Sequence, residues 1–435
     1  MKNYKIMRIT GVYYSELLKS WVSKNSHLEN HNYNDYFNFF VNDKNIFSYG
    51  FTKSFKKLKQ EAVELIIDFE FLQKKWAIEN NVSFSDENWI LEIMMAQVKE
   101  IMPDIIFIQS HDFTIPGRFI KDRPNENLIK ILKENCPFIK RIILFAGYSS
   151  SLDRVYHADH LFCSSPGVVE KYKIAGLDQS IKSSTLYHSF DYSIKNDIKE
   201  TNKIYDFTFL GSSRIPESRY YFLKELFDKT DLIGWINENT VGNSKKTINQ
   251  FLRENIKLIL SFFSDNQLNT LGRKKYLSRK IINVIEDIKQ QRFAFKNIKI
   301  NKNSIDFIKN LYPKRCKEPV MGIEMYKILS KSHVTFNRHA DDSFGFVGNM
   351  RLFESTGVGT CLLTDSGKNI SELFEENKEV VTYKSLSEAV DKARYLIENK
   401  SESDKIAKAG QLKTLNCHTI MNRCQQIDEV IQQIL

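Results

Sequence analysis

Val334-Thr335-Phe336-Asn337-Arg338-His339, followed by Gly345-Phe346-Val347-Gly348-Asn349-Met350-Arg351-Leu352-Phe353-Glu354-Ser355-Thr356-Gly357-Val358-Gly359-Thr360-Cys361-Leu362-Leu363-Thr364, reads as strand, helix, strand. The first strand is short and apolar and stops at a polar triplet. Gly348-Asn349 marks a helix start, because Asn caps helix N-termini and Gly permits the turn before it. Gly357 ends the helix, and Thr360 to Thr364 is a second apolar strand. Short apolar strands alternating with helices predict a parallel sheet covered on both faces.

The same rhythm extends in both directions. After it come a helix from Ile370 to Phe374, a strand from Glu379 to Tyr383 and a helix from Leu386 to Glu398. A last helix carries Ile420, Cys424, Ile427, Ile431 and Ile434 on one stripe. Before it lie a strand from Asp206 to Leu210 and a turn at Gly211-Ser212-Ser213 that opens a helix. The first half repeats the pattern, with strands Tyr4 to Thr10, Ile105 to Ile108, Arg141 to Phe145 and His160 to Cys163. A helix from Tyr13 to Val22 and another from about Asn88 to Ile101 fit between them. Leu58, Val63, Ile66, Phe69, Leu72 and Trp76 recur at helical spacing and predict one long amphipathic helix over 55–79.

A chain of 435 residues exceeds the size at which one core keeps growing, so two α/β domains are expected. The boundaries read as 1–195 and 196–415, with 416–435 a terminal helix packing back on the first domain. Residues 236–318 are basic and mostly helical in pattern, and read as an insertion in the second domain.

Composition bounds the function. The charge of +10, from 63 basic and 53 acidic residues, suits a phosphate-bearing ligand, an anionic membrane surface or nucleic acid. Much of it sits in 273–302, which offers a peripheral contact with the inner face of a membrane; the blander reading is a solvated helix face. No run of residues approaches the roughly 18–20 apolar positions of a membrane span, and the first residues lack a secretory leader, so a cytoplasmic protein is expected. The six cysteines contain no Cys-x-x-Cys and read as reduced core thiols. His157-x-x-His160 would share a helical face but has no carboxylate or thiolate to complete a ligand set, so no metal is expected.

Ligands of open α/β sheets bind beyond the carboxyl ends of the strands. Gly211-Ser212-Ser213-Arg214 lies there, where a helix N-terminus presents free N–H groups to an anion, and Arg214 and Arg219 add charge. Asn337-Arg338-His339 also follows a strand. Arg351 and Glu354, three apart, share one helix face. A carboxylate accepts from two adjacent ribose hydroxyls, and a guanidinium fork donates in pairs to phosphate. The alternative is a plain surface ion pair worth roughly 0.2–0.5 kcal/mol. In the first half, Ser110-His111-Asp112 comes just after the strand Ile105 to Ile108, and His188 closes the domain. His111, Asp112 and His339 are the candidate acid, base or acceptor-contacting groups. No phosphate-cradling Gly-x-x-x-x-Gly-Lys loop, Gly-x-Ser-x-Gly elbow or His-Glu-x-x-His is present, which argues against NTPase, hydrolase and zinc-protease readings.

Asn337-x-His339, Gly348-Asn349-Met350-Arg351-Leu352-Phe353-Glu354-x-x-Gly357-x-Gly359-Thr360 and Leu363-Thr364-Asp365 together resemble the C-terminal half of group 1 glycosyltransferases, in the branch of spore-maturation-type enzymes. Leu373-Phe374, Val380-Val381-x-Tyr383, Ala409-Gly410 and His418-Thr419 agree, as do Leu72-Gln73-x-x-Trp76, Pro103-Asp104-Ile105-Ile106 and His188-Ser189-Phe190-Asp191. The resemblance implies a GT-B fold: two Rossmann-like domains facing across a cleft, with a nucleotide-sugar held mainly by the second. It implies no cofactor or metal, with the nucleotide-sugar as substrate and a glycan, lipid-linked or protein acceptor in surface-glycan or glycoprotein synthesis. A nucleic-acid-binding role for the basic 273–302 region is a further alternative; the absence of aromatic-interleaved recognition motifs argues against it, so no nucleic-acid partner is expected. Glu354 would bind the ribose, and Arg351, Asn349 and Gly211-Ser212 would face the diphosphate; Arg214, Asn337 and Thr356 complete the expected donor contacts. Retaining members often carry a glutamate eight residues before the ribose-binding one, and Phe346 stands there. The alternatives are a GT-B-like nucleotide-sugar epimerase and a non-catalytic binder.

Overall fold

The computed structural model describes residues 2–12, 15–44, 50–109, 128–147, 152, 155–198, 202–213, 217–238, 307–339 and 343–435, with isolated positions between 263 and 285. His111, Asp112, Arg214 and nearly all of the basic 273–302 stretch lie outside the described residues.

The chain divides into two units. One comprises Met1–Lys199, Met321–Tyr326 and Thr414–Leu435; the other comprises Glu200–Val320 and Lys327–Lys413. Each is built on a six-stranded parallel sheet, so the α/β reading holds.

In the first unit the strands are β1 (Lys5–Thr10), β2 (Glu61–Ile66), β3 (Ile105–Gln109), β4 (Arg141–Ala146), β5 (His160–Cys163) and β6 (Lys182–Thr185). Their order is β2-β1-β3-β4-β5-β6. The apolar runs are continuous because both faces are covered. Met7, Ile9, Ile106, Ile108, Ile142 and Leu144 point to one core, and Ile6, Ile105, Phe107, Ile143 and Phe145 to the other. The second core is closed by helix Gly50–Lys57 and by the terminal helix Ile420–Ile434, whose Cys424, Ile427 and Ile431 lie in it. Thr419 and Asn422 form a capping box at the start of that helix. Arg423 donates to the Tyr187 and His188 carbonyls at 2.9 and 3.2 Å, which fixes the helix to the end of β6.

The long helix expected over 55–79 is three elements. Helix Gly50–Lys57 ends before Lys59, which adopts a left-handed φ of 62°; β2 follows, then helix Glu70–Glu79. The helical spacing was a coincidence of residues from separate elements, and the run Ala62 to Ile66 is a strand. Glu64 is the residue that hid it, because a charge in a fully covered strand needs a partner. That partner is Arg8, directly opposite on β1 and 2.7 Å away, with both side chains nearly inaccessible. Similarly, His157 and His160 share no helix: His157 is in a turn at φ 71° and His160 opens β5, bonded to Ser184.

In the second unit the strands are β7 (Tyr205–Ser212), β8 (Ile233–Asn237), β9 (Cys316–Lys317), β10 (Ser332–Phe336), β11 (Cys361–Asp365) and β12 (Val381–Tyr383). Their order is β12-β11-β10-β7-β8-β9. Phe207, Phe209, Val334, Phe336, Leu363 and Tyr383 pack beneath helices Glu217–Lys229 and Leu386–Glu398. Residues 308–317, assigned to the insertion by sequence, contribute helix Ile308–Leu311 and the edge strand β9, so the sheet reclaims that end of the segment. Gly410 allows helix Lys400–Cys417 to press against the chain before β12: a Cβ there would meet the Glu379 carbonyl oxygen at 2.2 Å.

No described helix is long and apolar enough to cross a membrane. All six cysteines are free thiols; Cys136, Cys163, Cys361 and Cys424 are buried and Cys417 is exposed.

Candidate functional site

In the second sheet the chain starts at β7, moves outward to β8 and β9, then returns to the other side of β7 as β10. The connections after β7 and β10 therefore leave in opposite directions, and such a switch point opens a crevice at the carboxyl ends of the two strands. Ser213 stands at the end of β7, and Asn337-Arg338-His339 at the end of β10. The first sheet has its own switch point between β1 and β3, which end at Thr10 and Gln109.

The turn after β7 begins later than its residue pattern suggested. Gly211 and Ser212 are still in the strand, in register with Ile236 and Asn237. Gly211 holds φ +152°, and a Cβ there would touch the Phe209 ring at 3.4 Å. Ser213 is buried, with its hydroxyl on Glu238 at 2.8 Å; that carboxylate also accepts the backbone N–H groups of Ile308 and Lys309. Arg219 joins the two strand ends, donating to the Ser212 carbonyl at 3.1 Å and to the carbonyl of Arg338.

The helix Met350–Gly357 is set against these ends by its own residues. Asn349 is its N-cap and accepts from Leu352 N–H at 3.3 Å. The Asn349 and Asn337 amides exchange two hydrogen bonds of 2.9 and 3.1 Å, and Asn337 also donates to Thr364. Both asparagine side chains thus hold β10, β11 and the helix together. Just before the helix, Asn369 brackets Val347, accepting its N–H and donating to its carbonyl. Asn349→Ala removes the cap and strands the buried Asn337 amide, so we expect a stability loss of about 1–3 kcal/mol, read as a lowered denaturant midpoint.

Arg351 and Glu354 form the i,i+3 pair at 3.0 Å. The pair is not on a solvated face: Glu354 is buried and Arg351 mostly so. Arg351 also donates to the Leu210 carbonyl at 3.1 Å, which brings the guanidinium beside Gly211. The structure thus places a buried carboxylate, held by an arginine, at the switch point. Thr356 is placed differently: its hydroxyl donates to the Leu352 carbonyl at 2.7 Å within the packed helix, next to Gly410. That geometry makes it a packing residue.

His339 is buried, and its ring Nδ1 lies 2.8 Å from Asp365 at the end of β11. Asp365 also accepts the His339 backbone N–H at 3.0 Å. Burial pushes the Asp365 carboxyl up, but the His339 ring and Arg338 outweigh it and hold the group at about 2. Arg338 itself bonds Ser218 at 2.6 Å and lies over the Phe222 ring at 4.1 Å. Reading the residues alone assigned no role to Asp365 or Glu238; their places at strand ends were the available signal. Phe346 lies under the Lys368 ammonium, 5.1 Å from the ring centre. Among the described residues no group of three His, Cys, Asp or Glu side chains is arranged to hold a metal ion.

Residues 286–429 match the model of a family described as glycosyl transferase-like. No curated protein sequence matches the chain. Among solved structures, Anabaena HepE in complex with UDP and glucose is similar over 99% of this chain and 100% of that one, at 11% identity and a TM-score of 0.52. An alpha-glucosyltransferase in complex with UDP-glucose and abasic-site DNA is similar over 99% of each chain, at 10% identity and a TM-score of 0.53. At these identities the likeness is one of fold, and the fold is GT-B.

Proposed function

We propose that the protein is a glycosyltransferase that takes a sugar from a nucleotide-sugar bound at the switch point of the second sheet. The observation that carries this reading is the meeting of the β7 and β10 ends with the buried Arg351–Glu354 pair. The glycosyl transferase-like match over 286–429 supports it. Glu354 accepts from the ribose hydroxyls, Arg351 and the Gly211-Ser212 backbone meet the diphosphate, and His339 contacts the same anion; Arg214 comes next in sequence and adds a charge. In transfer, the bond from the sugar C1 to the β-phosphate oxygen breaks and its electron pair stays on that oxygen. An acceptor hydroxyl oxygen bonds C1 and passes its proton to a base, for which His111 or Asp112 is proposed. The negative charge that grows on the departing diphosphate is what fixed donors stabilise, and losing one typically costs about 10²–10³ in rate.

The acceptor in this reading is a glycan, a lipid-linked sugar or a protein of a surface-glycan or glycoprotein pathway. His111 and Asp112, which come after β3 in the sequence, are its proposed contacts. HepE and the alpha-glucosyltransferase were solved with UDP or UDP-glucose, which makes these the first probes. Melting the protein in UDP, UDP-glucose and the other nucleoside diphosphates tests the proposal. A ligand at about 100 times its Kd adds about 2.7 kcal/mol of stability, a shift of several degrees. No shift with any nucleotide or nucleotide-sugar would remove the reading. Conversion of the donor's sugar without an acceptor would favour an epimerase instead.

A further inference from the structure

His339 and Asp365 are 26 residues apart in sequence and belong to the ends of neighbouring strands, β10 and β11. Asp365 accepts from the His339 backbone N–H through both oxygens, at 3.0 and 3.1 Å, and lies 2.8 Å from ring Nδ1. An ionised carboxylate can only accept, so Nδ1 carries a proton toward Asp365, and Nε2 is the ring nitrogen left to meet a ligand. Among the described residues Nε2 is buried without a hydrogen-bond partner. A buried polar atom of this kind has a cost that a ligand removes. The charged and titratable groups around the pair are engaged elsewhere. Arg338 is on Ser218 and Phe222, Arg219 is on the Ser212 and Arg338 carbonyls, and the Tyr383 hydroxyl is on the Asn337 carbonyl. None of them occupies Nε2.

We propose that Asp365 is a positioning residue that holds His339 with Nε2 turned to a diphosphate oxygen, and that the ring takes up one proton from solvent when the diphosphate binds. The proton forms the Nε2–H that donates to the anion, and Asp365 on Nδ1 balances the charge of the imidazolium. This rests on the nucleotide site proposed above and adds a proton to its binding equilibrium. Donor affinity then falls as pH rises, because the extra proton must be supplied from a scarcer pool.

The test uses the full chain labelled with ¹⁵N-histidine, with UDP-glucose as probe because its diphosphate does not titrate near neutrality. In the free protein the His339 nitrogens are expected to show the Nδ1–H tautomer. With UDP-glucose both nitrogens shift to the imidazolium position, and calorimetry in buffers of different ionisation heat counts close to one proton taken up. Asp365→Asn is expected to weaken UDP-glucose about 10–100-fold and to abolish the uptake, as loss of a charge-assisted contact would. Asp365→Glu restores part of both. His339→Gln, which keeps a neutral donor, serves if Asp365→Asn does not fold, and it too loses the uptake. UDP-glucose binding that depends on Glu354 yet leaves the His339 shifts and proton count unchanged overturns this inference and leaves the nucleotide site standing. No binding of UDP-glucose or UDP overturns both.

Discussion

Glu354→Gln is expected to erase the nucleotide-dependent rise in melting temperature while leaving the unliganded protein folded. Glutamine keeps the shape of the side chain and an oxygen for Arg351, so the 3.0 Å contact survives as a hydrogen bond. What disappears is the charge and one of two acceptor oxygens, which are the properties that let a carboxylate hold a ribose diol. Hydrogen bonds to a charged acceptor contribute about 1.5–3 kcal/mol each, so the donor should bind about 10²-fold more weakly. Arg351→Met should act more on the other part of the ligand: UDP loses more affinity than uridine does. If Glu354→Gln binds nucleotide as tightly as the parent protein, the ribose is not at this helix.

Glu64→Ala should be the most damaging single change in the first unit. Arg8 and Glu64 meet at 2.7 Å between β1 and β2, under Phe51, whose ring centre lies 4.7 Å from the guanidinium. Thr52 donates to the same carboxylate at 3.0 Å. Removing the carboxylate leaves a cation in the core that water cannot reach, a loss of about 3–5 kcal/mol. The double variant Arg8→Met/Glu64→Leu removes both charges and fills the space, and should recover most of that stability. Chemical denaturation of the parent and both variants decides it; a loss below about 1 kcal/mol for Glu64→Ala would mean that the interior there is far wetter than the packing indicates.

The same pair shows where reading the sequence stops. Ile105 to Ile108 and Arg141 to Phe145 declare themselves as covered strands because nothing polar interrupts their apolar runs, and the structure has them at β3 and β4. β2 hides because Glu64 breaks its apolar run, and the residue that makes the charge tolerable is 56 positions away. Arg351 and Glu354 were legible because a helix brings residues three apart together whatever surrounds them. Their burial was not, since it depends on β7 and on the Leu210 carbonyl. Asn337 read as a ligand contact from its strand-end position, and Asn349 through the family resemblance, yet their amides hold each other. The His339–Asp365 contact joins two strand ends that only the sheet order makes neighbours. The switch point itself is a property of strand order, which hydrophobic periodicity does not encode.

A crystal structure of the full chain grown with UDP-glucose tests the central claim most directly. The diphosphate is expected at the carboxyl ends of β7 and β10, beside Gly211 and within reach of Arg351 and His339 Nε2, with both ribose hydroxyls on the Glu354 carboxylate. A nucleotide bound at the ends of the first sheet, or one whose ribose leaves Glu354 untouched, would contradict it.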